Sequence, residues 1–324
     1  MQNFRRTFKD YFIYSVDGSD LDLPASGDVI KSGYRGVGCT KESETHYPKM
    51  QVVQAYDVLN GLVCGFNFSS KMSEKAVAKD LIAGFEKKSI TIYDRLYCGY
   101  PTFEWHIRAG NYFLIRSMTE GKSVPACVRE FISSNQVDQE VIWKTKKKWS
   151  ASDLRLRLVK VRNPRTGKIN VFVTNAPKPI FSRLELAGLY LKRWEIETSF
   201  KDLVDTLKMD QWHSQMVNGI LQEIFCLLWA ANAIKMQIYS HSNEDVLKQT
   251  YRRANFKMCL NLMVRHLSLL VKNKIQRFAD ILELWMGRTS EIRKRRSRSY
   301  PRVVKRYGTG FNTCSQVPRR PKYG

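Results

Sequence analysis

The alternation of apolar and polar positions predicts a mixed α/β protein whose first half is rich in strands. "DYFIYSVDG" predicts a first strand that ends at Asp17. "MQVVQAYDVLNGLVCGFNF" predicts strands over 51–57 and 62–68, joined at Asn60-Gly61 because both residues tolerate the positive φ of a hairpin turn. Further along we expect a helix capped by Ser73, a strand "SITIYD" ending at Asp94, a helix opened by Pro101, and a strand over 112–118.

The pattern of apolar and polar positions changes twice in the second half of the chain. "EVIWKT", "LRLRLVKVRN" and "KINVFVTNA" predict a β-rich segment, and the pattern then becomes helical to about Met286. Helices are expected over 182–208, 216–240, about 245–272 and, shorter, from 274.

The helix over 182–208 carries an unusual arrangement of charge. "SRLE" at its start is a capping box, in which Ser182 and Glu185 satisfy each other's backbone N–H groups. At 100° per residue the helix has three faces. The buried face holds Leu189, Ile196, Phe200, Leu203 and Leu207, and the face predicted to meet solvent holds Lys192, Glu195, Ser199, Asp202 and Thr206. Between them lie Tyr190, Arg193, Glu197, Lys201, Val204 and Lys208.

Two interpretations of this third face are open. Arg193 with Glu197, and Glu197 with Lys201, have the spacing of surface ion pairs, which contribute about 0.2–0.5 kcal/mol each. Alternatively, Glu197 meets other carboxylates and its cationic neighbours bind phosphate. Asp17 and Asp94 are the candidates, because a carboxylate at the end of a rigid strand can hold a hard cation. Each alone is also an ordinary turn residue.

The net charge of the chain indicates which class of molecule the protein binds. Fifty-four Lys and Arg against thirty Asp and Glu give +24, a field that attracts nucleic acid. The last thirty-six residues carry "RKRRSRSYPRVVKR", which we interpret as a flexible segment that contacts DNA. Seven scattered cysteines and five histidines show neither disulfide nor zinc spacing. We find no apolar signal core and no run of eighteen apolar residues, so we expect a cytoplasmic protein without a membrane span.

The motifs together resemble the DDE transposases of bacterial insertion sequences, closest to the insertion-sequence-four family with its signature Y-x2-R-x3-E-x6-K. Tyr190, Arg193 and Glu197 keep the first three positions within "YLKRWEIETSFK". "VDGSDLDLP" and "YDRLYCGY" are similar to the first and second aspartate motifs, and "FVTNAPKPIFSRLELAGLYLKRWEIE" to the approach to the signature helix. The resemblance covers about residues 12–310.

The resemblance implies a ribonuclease H-like mixed sheet flanked by helices, with a β-rich insertion before the catalytic Glu helix and a helical C-terminal part. It implies two Mg²⁺ (or Mn²⁺) ions held by the catalytic residues Asp17, Asp94 and Glu197. The expected DNA-binding residues are Tyr190, Arg193, Lys201, Lys208, Arg293, Lys294, Arg295 and Arg296. The expected partners are double-stranded DNA, both transposon terminal inverted repeats and target, and a second copy of the chain in a synaptic homodimer. A bacterial, nucleoid-associated protein is expected.

The same resemblance divides the chain into five parts: the first part of the catalytic core over 1–136, the insertion over 137–176, the Glu helix and end of the core over 177–240, a helical region over 241–288, and a basic tail over 289–324. Trp143 and Trp149 in the insertion are candidates for stacking on an unpaired base, with core packing as the stronger alternative.

Two departures from the signature keep other functions open. Val204 stands where its final lysine is expected, with Lys201 and Lys208 one turn to either side. The first aspartate comes at residue 17, ahead of which family members commonly carry a DNA-binding region, so we expect a truncated reading frame. The alternatives are an inactive transposase that only binds DNA, a two-metal nuclease or resolvase without strand transfer, and a structural RNA-binding protein.

Overall fold

A computed structural model describes residues 5–34, 48–70, 74–144, 152–162, 167–240 and 250–294. The strands are β1 (Phe12–Asp22), β2 (Lys49–Asp57), β3 (Leu62–Ser69), β4 (Ser89–Tyr93), β5 (Tyr112–Arg116), β6 (Asp138–Trp143), β7 (Leu154–Arg162), β8 (Ile169–Thr174), β9 (Thr250–Ala254) and β10 (Ser290–Lys294). The helices are α1 (Gly27–Lys31), α2 (Glu74–Ile82), α3 (Tyr100–Ala109), α4 (Ala126–Ser133), α5 (Arg183–Leu191), α6 (Trp194–Lys201), α7 (Val217–Ser240), α8 (Phe256–Val271) and α9 (Ile275–Thr289).

The first eight strands form one mixed sheet in the order β3-β2-β1-β4-β5-β8-β7-β6. β1, β4 and β5 are parallel neighbours, whereas β2 and β3 form the antiparallel hairpin predicted at Asn60-Gly61, where Gly61 has a φ of 71°. β8 pairs antiparallel with β5, and β7 and β6 follow. The predicted β-rich segment therefore extends the central sheet.

Helices cover both faces of this sheet. Side chains alternate between the faces of a strand, so Ile13 and Val16 of β1 belong to different cores. Val16 packs in the core formed with α2, α3 and α4, and Ile13 in the core formed with α5 and α6. Odd positions of β1, including Asp17, therefore face α5 and α6, while even positions face α2.

The first strand is longer than predicted. β1 continues to Asp22 because it pairs with β2 along its whole second half, with Asp17 opposite Gln54 and Asp22 opposite Lys49. Asp17 consequently lies inside a strand and not at its end. α1 and α4 were also absent from the prediction.

The single helix predicted over 182–208 is interrupted. The capping box at Ser182 and Glu185 is present, but α5 ends at Leu191. Lys192 and Arg193 form a turn with i→i+3 bonds before α6 begins. After α6 the chain forms a π-helical turn at Asp202–Thr206. A 3₁₀-like turn and a π turn rotate the chain by angles per residue that differ from the 100° of an α-helix. The three faces predicted for one straight helix over 182–208 therefore do not hold along its whole length.

The face predicted to meet solvent is the clearest error. Lys192 is 1% and Ser199 0% exposed. Ser199 accepts a hydrogen bond from Gln54 Nε2 at 2.9 Å, Asp202 pairs with Lys235 of α7, and Glu195 pairs with Arg253 of β9. Ser199 is therefore buried against β2 of the central sheet, while α7 and β9 supply the cations that compensate Asp202 and Glu195.

The C-terminal part is helical, with a small sheet. α7 confirms the helix predicted over 216–240. The next helix begins only at Phe256, after strand β9, and the helix from Ile275 runs to Thr289. β10 pairs with β9, so Arg293 and Lys294 are backbone partners of Tyr251 and Thr250. This strand contradicts a flexible segment at that point. Arg295, Arg296 and the rest of the basic segment lie outside the described residues.

α7 is the one described helix long and apolar enough, over Val217–Tyr239, to cross a membrane by length and composition alone. In this structure one side of it packs into the C-terminal core. The buried apolar side chains of α7 are Ile220, Ile224, Leu228, Ala231, Ile234, Ile238 and Tyr239. A buried stripe of this kind is also what a core helix of a globular domain presents.

Candidate active site

Three polar residues lie just beyond the point where the parallel pairing of β1, β4 and β5 ends. Ser15 of β1 is paired with Ile92 of β4, and Tyr93 of β4 is paired with Ile115 of β5. Continuing these registers brings Asp17 level with Asp94, and Asp94 level with Arg116. The carboxyl edge of parallel strands is where α/β proteins commonly bind ligands. Asp94 follows β4 directly, as predicted.

The environment of Asp17 is unfavourable for a negatively charged carboxylate. The pKa of its carboxyl is raised to about 7, mainly by burial and also by the nearby carboxylates of Glu74 and Asp94, while Arg193 opposes the shift. Asp17 Oδ1 also accepts a hydrogen bond of 3.1 Å from the Gly18 N–H. A cation at this point would relieve the desolvation and the repulsion together.

Arg193 joins the sheet to the helix that carries Glu197. Its Nη1 lies 3.5 Å from Asp17 Oδ2, and its Nη2 donates to Glu197 Oε1 at 2.6 Å. The guanidinium also lies 4.9 Å from the ring centre of Trp194. Arg193 therefore pairs with Glu197, as the ion-pair interpretation of the sequence expected, and it reaches Asp17 as well.

Asp94 has the turn-capping role that the sequence left open. Its side chain caps the short 3₁₀ turn Arg95–Tyr97 by accepting from the Leu96 N–H. It also stands within electrostatic reach of Asp17 and Glu74. The cap fixes the carboxylate at the edge of the sheet, which is the preorganisation that a ligand-binding group needs.

Tyr190 is a buried residue beside the charged groups of the site. It is 7% exposed, and its ring centre lies 4.7 Å from that of Phe172. Burial raises the pKa of its hydroxyl, which Arg116 and Arg193 counteract and Asp94 reinforces. The hydroxyl is therefore neutral at physiological pH and directed among the charged groups.

Lys201 and Lys208, two of the other expected DNA-binding residues, lie at the end of α6 and just after the π turn. Lys201 and Lys208 are exposed, and Lys208 has a left-handed φ of 59° just after the π turn. Val204 packs against the C-terminal core, so an apolar contact occupies the position where the signature has lysine. Trp143 is 9% exposed and stacks edge-on against Phe103, which shows that it is a core residue. Trp149 lies outside the described residues.

Sequence analysis missed two residues of this site, Arg116 and Glu74. Arg116 could have been found by aligning the ends of the parallel strands, since it closes β5. Glu74 is the first residue of α2 and comes from the opposite face of the sheet. No periodicity could reveal that contact, because it depends on how α2 packs.

The donor chemistry fits divalent cations, although the side chains are not gathered around one. Among the described residues no three His, Cys, Asp or Glu side chains form a group that could hold a metal ion as they stand. Arg193 lies between Asp17 and Glu197 and supplies positive charge there. Carboxylates are the preferred ligands of Mg²⁺, and the buried Oε1 of Glu74 has no hydrogen-bond partner in the described part of the chain.

Comparison with known proteins gives a consistent result. The model of the family described as "Transposase DDE domain" matches residues 9–233. The transposase InsG for insertion sequence element IS4 of Escherichia coli (strain K12) is 22% identical over 268 residues, which are 80% of this chain and 60% of that protein. The chain thus spans about three fifths of the length of this relative.

Among solved structures, a piggyBac transposase synaptic complex with hairpin DNA aligns with a TM-score of 0.39 at 10% identity, over 71% of this chain and 47% of that one. The family model covers more than half of the chain and includes Asp17, Asp94 and Glu197. The chain therefore belongs to the family described as the transposase DDE domain.

Proposed function

We propose that the protein is a DNA transposase that cleaves the ends of an insertion sequence and transfers the freed strand to target DNA. One observation carries the proposal. Asp17 and Asp94 stand level on adjacent parallel strands, and Arg193 connects Asp17 to Glu197 on the facing helix. Two carboxylates from the sheet and one from the helix are the donor types that phosphodiester chemistry with metal ions requires.

The proposed catalytic core is ribonuclease H-like. Its support is the strand order β3-β2-β1-β4-β5, in which a three-stranded antiparallel meander is followed by two parallel strands. β6, β7 and β8 would be the insertion, since they precede α5 and α6 in the chain and extend the same sheet.

Asp17, Asp94 and Glu197 would hold two Mg²⁺ or Mn²⁺ ions. Such ions activate a water or a 3′-hydroxyl and neutralise the phosphate during in-line displacement. Arg193 would exchange its bond with Glu197 for a forked contact to the phosphate beside the scissile bond, because a guanidinium binds phosphate oxygens bidentately. Tyr190, neutral and buried beside Asp94, would orient that phosphate from the opposite wall.

DNA is the proposed partner on the basis of charge and family. The chain carries +24, and Lys201 and Lys208 are exposed near the Glu197 helix. Lys201, Lys208, Arg293, Lys294, Arg295 and Arg296 would contribute contacts to the phosphate backbone, which position DNA without reading its sequence. A homodimer on paired terminal repeats, and a cytoplasmic, nucleoid-associated location, complete the proposal.

A cleavage and strand-transfer assay tests the function. Labelled DNA carrying the cognate ends is incubated with the protein and Mg²⁺ or Mn²⁺, and nicked and transferred products are separated on a gel. We expect both products with the wild type and neither with Asp17→Asn, Asp94→Asn or Glu197→Gln, while DNA binding in a mobility-shift assay is retained.

The outcomes separate the alternatives. Nicking without strand transfer favours a nuclease or resolvase. DNA binding without either product favours an inactive transposase. Activity that survives the three substitutions contradicts the assignment of the site.

A further inference from the structure

Glu74 reaches the proposed site from the face of the sheet opposite to Glu197. It is the first residue of α2, and its side chain lies directly against Gly18 of β1. A Cβ atom at position 18 would lie 2.5 Å from Glu74 Cγ and 2.6 Å from Glu74 Cδ. The absence of a side chain at Gly18 is therefore what allows the Glu74 carboxylate to approach the strand.

The geometry of β1 explains why both faces meet here. Asp17 faces α6 and Gly18 faces α2, because successive residues of a strand point to opposite faces. The pairing of β1 with β4 ends at Ser15, two residues before Asp17. Asp17 and Glu74 are nevertheless near enough for the Glu74 carboxylate to raise the pKa of Asp17.

The carboxylate of Glu74 is only partly satisfied by its neighbours. Its Oε1 is buried and makes no hydrogen bond within the described residues, and the same holds for the hydroxyl of Tyr97. Burial raises the pKa of Glu74, and the nearby Tyr97 hydroxyl and Gly18 N–H oppose that shift. Glu74 is also repelled by Asp94 and repels Asp17.

A favourable position at a helix start does not account for this burial. The helix dipole favours an acid in the first turn, but an exposed acid gains from it as well. Burying one oxygen of a carboxylate without a hydrogen bond costs free energy, which a cation would offset. A divalent cation between Asp17 and Asp94 would satisfy the free oxygen and remove the repulsion among the three carboxylates.

We propose that Glu74 is a fourth carboxylate of the metal site, binding the cation held by Asp17 and Asp94 from the α2 side of the sheet. The inference rests on the proposed function, since it adds a ligand to the same site. Gly18 then has a specific role, which is to leave room for that ligand beside Asp17.

Isothermal titration calorimetry of the full chain with Mn²⁺, in the absence of DNA, tests the inference. We expect Glu74→Gln, which preserves the shape of the side chain, to weaken Mn²⁺ binding by about 10- to 100-fold, as loss of a group supporting a metal site commonly does. Asp80→Asn is the matched control, because Asp80 is an exposed acid on the same helix, and it should bind Mn²⁺ like the wild type. Thermal unfolding is recorded for each variant without metal.

Asp17→Asn distinguishes failure of this inference from failure of the proposed function. If Asp17→Asn weakens Mn²⁺ binding and Glu74→Gln does not, the role of Glu74 is overturned and the site stands. If the wild type binds no Mn²⁺, or Asp17→Asn changes nothing, both proposals are overturned.

A second variant keeps the test valid if Glu74→Gln is poorly folded. Gly18→Ala should weaken Mn²⁺ binding by displacing the Glu74 carboxylate, without changing any charge. In a Glu74→Ala background the added methyl group has room, so Gly18→Ala should cause no further loss. Equal losses in both backgrounds would show that Gly18 acts independently of Glu74 and would overturn the inference.

Discussion

Lys235 of α7 and Asp202, just after the helix that carries Glu197, form an ion pair of 2.9 Å in which the lysine side chain is 5% exposed. Burial lowers the pKa of Lys235, and Asp202 opposes that shift. Lys235 Nζ also donates to the Tyr56 hydroxyl of β2. The lysine thereby joins the C-terminal helices, the central sheet and the Glu197 helix.

Removing one partner of this pair should be costly. We expect Asp202→Asn to destabilise the protein by about 3–5 kcal/mol, because it leaves a buried ammonium group without its counter-charge. Asp202→Leu combined with Lys235→Met should recover most of that loss. Asp205→Asn, an exposed acid in the same π turn, is the control. Denaturant unfolding measures the difference, and equal stability of Asp202→Asn and Asp205→Asn would contradict the assigned burial.

Val204 should resist conversion to the lysine of the signature. It packs partly buried against the C-terminal core. Val204→Lys is therefore expected to lower the free energy of unfolding by about 1–3 kcal/mol, as burial of an ill-matched polar chain does. Val204→Leu serves as the apolar comparison. A lysine variant with unchanged stability and tighter DNA binding would mean that this side chain can turn outward to phosphate.

Arg116 should matter to cleavage as much as a residue of the signature. It closes β5 level with Asp94 and acts on the hydroxyl of Tyr190. We expect Arg116→Gln to reduce the rate of DNA nicking by about 10²–10³-fold, the usual cost of losing a positive donor near a developing charge. Arg108→Gln is the control, because Arg108 is exposed and pairs with Glu104 within α3. Nicking by Arg116→Gln at the rate of the Arg108→Gln control would exclude Arg116 from the site.

His106 should make the fold sensitive to acid. It is fully buried, it hydrogen-bonds Tyr93 at 2.7 Å and also Asn111, and burial lowers its pKa to about 4. The unfolded chain, with a histidine pKa near 6.5, binds the proton first as pH falls. Stability due to the neutral ring is therefore complete above about pH 6.5 and lost progressively down to about pH 4.

The loss attributable to His106 should approach about 3 kcal/mol, since each pKa unit is worth about 1.4 kcal/mol. The measurement is the free energy of unfolding from pH 7 to 4 for wild type and His106→Gln. Asp17, whose pKa is raised, contributes with the opposite sign in both proteins. The difference between their pH profiles isolates the histidine, and parallel profiles would contradict its burial in the neutral form.

Much of the candidate site follows from local pattern. Asn60-Gly61 specifies a hairpin, "SITIYD" a strand followed by an aspartate, and the capping box at Ser182 the start of α5. These features depend on a few neighbouring residues and on backbone preferences that the tertiary structure did not override. The spacing of Tyr190, Arg193 and Glu197 likewise identified the helix that faces Asp17.

The sequence by itself determined the order of the elements, the residue types of the site and the charge that favours DNA. Tertiary packing decided which faces are covered and which distant groups meet. Helical periodicity separates Lys192 and Ser199 from the apolar face, but it cannot tell whether another element covers them, and here both are buried. The contact of Glu74 with Gly18 is likewise invisible in either motif, because it depends on how α2 packs against β1.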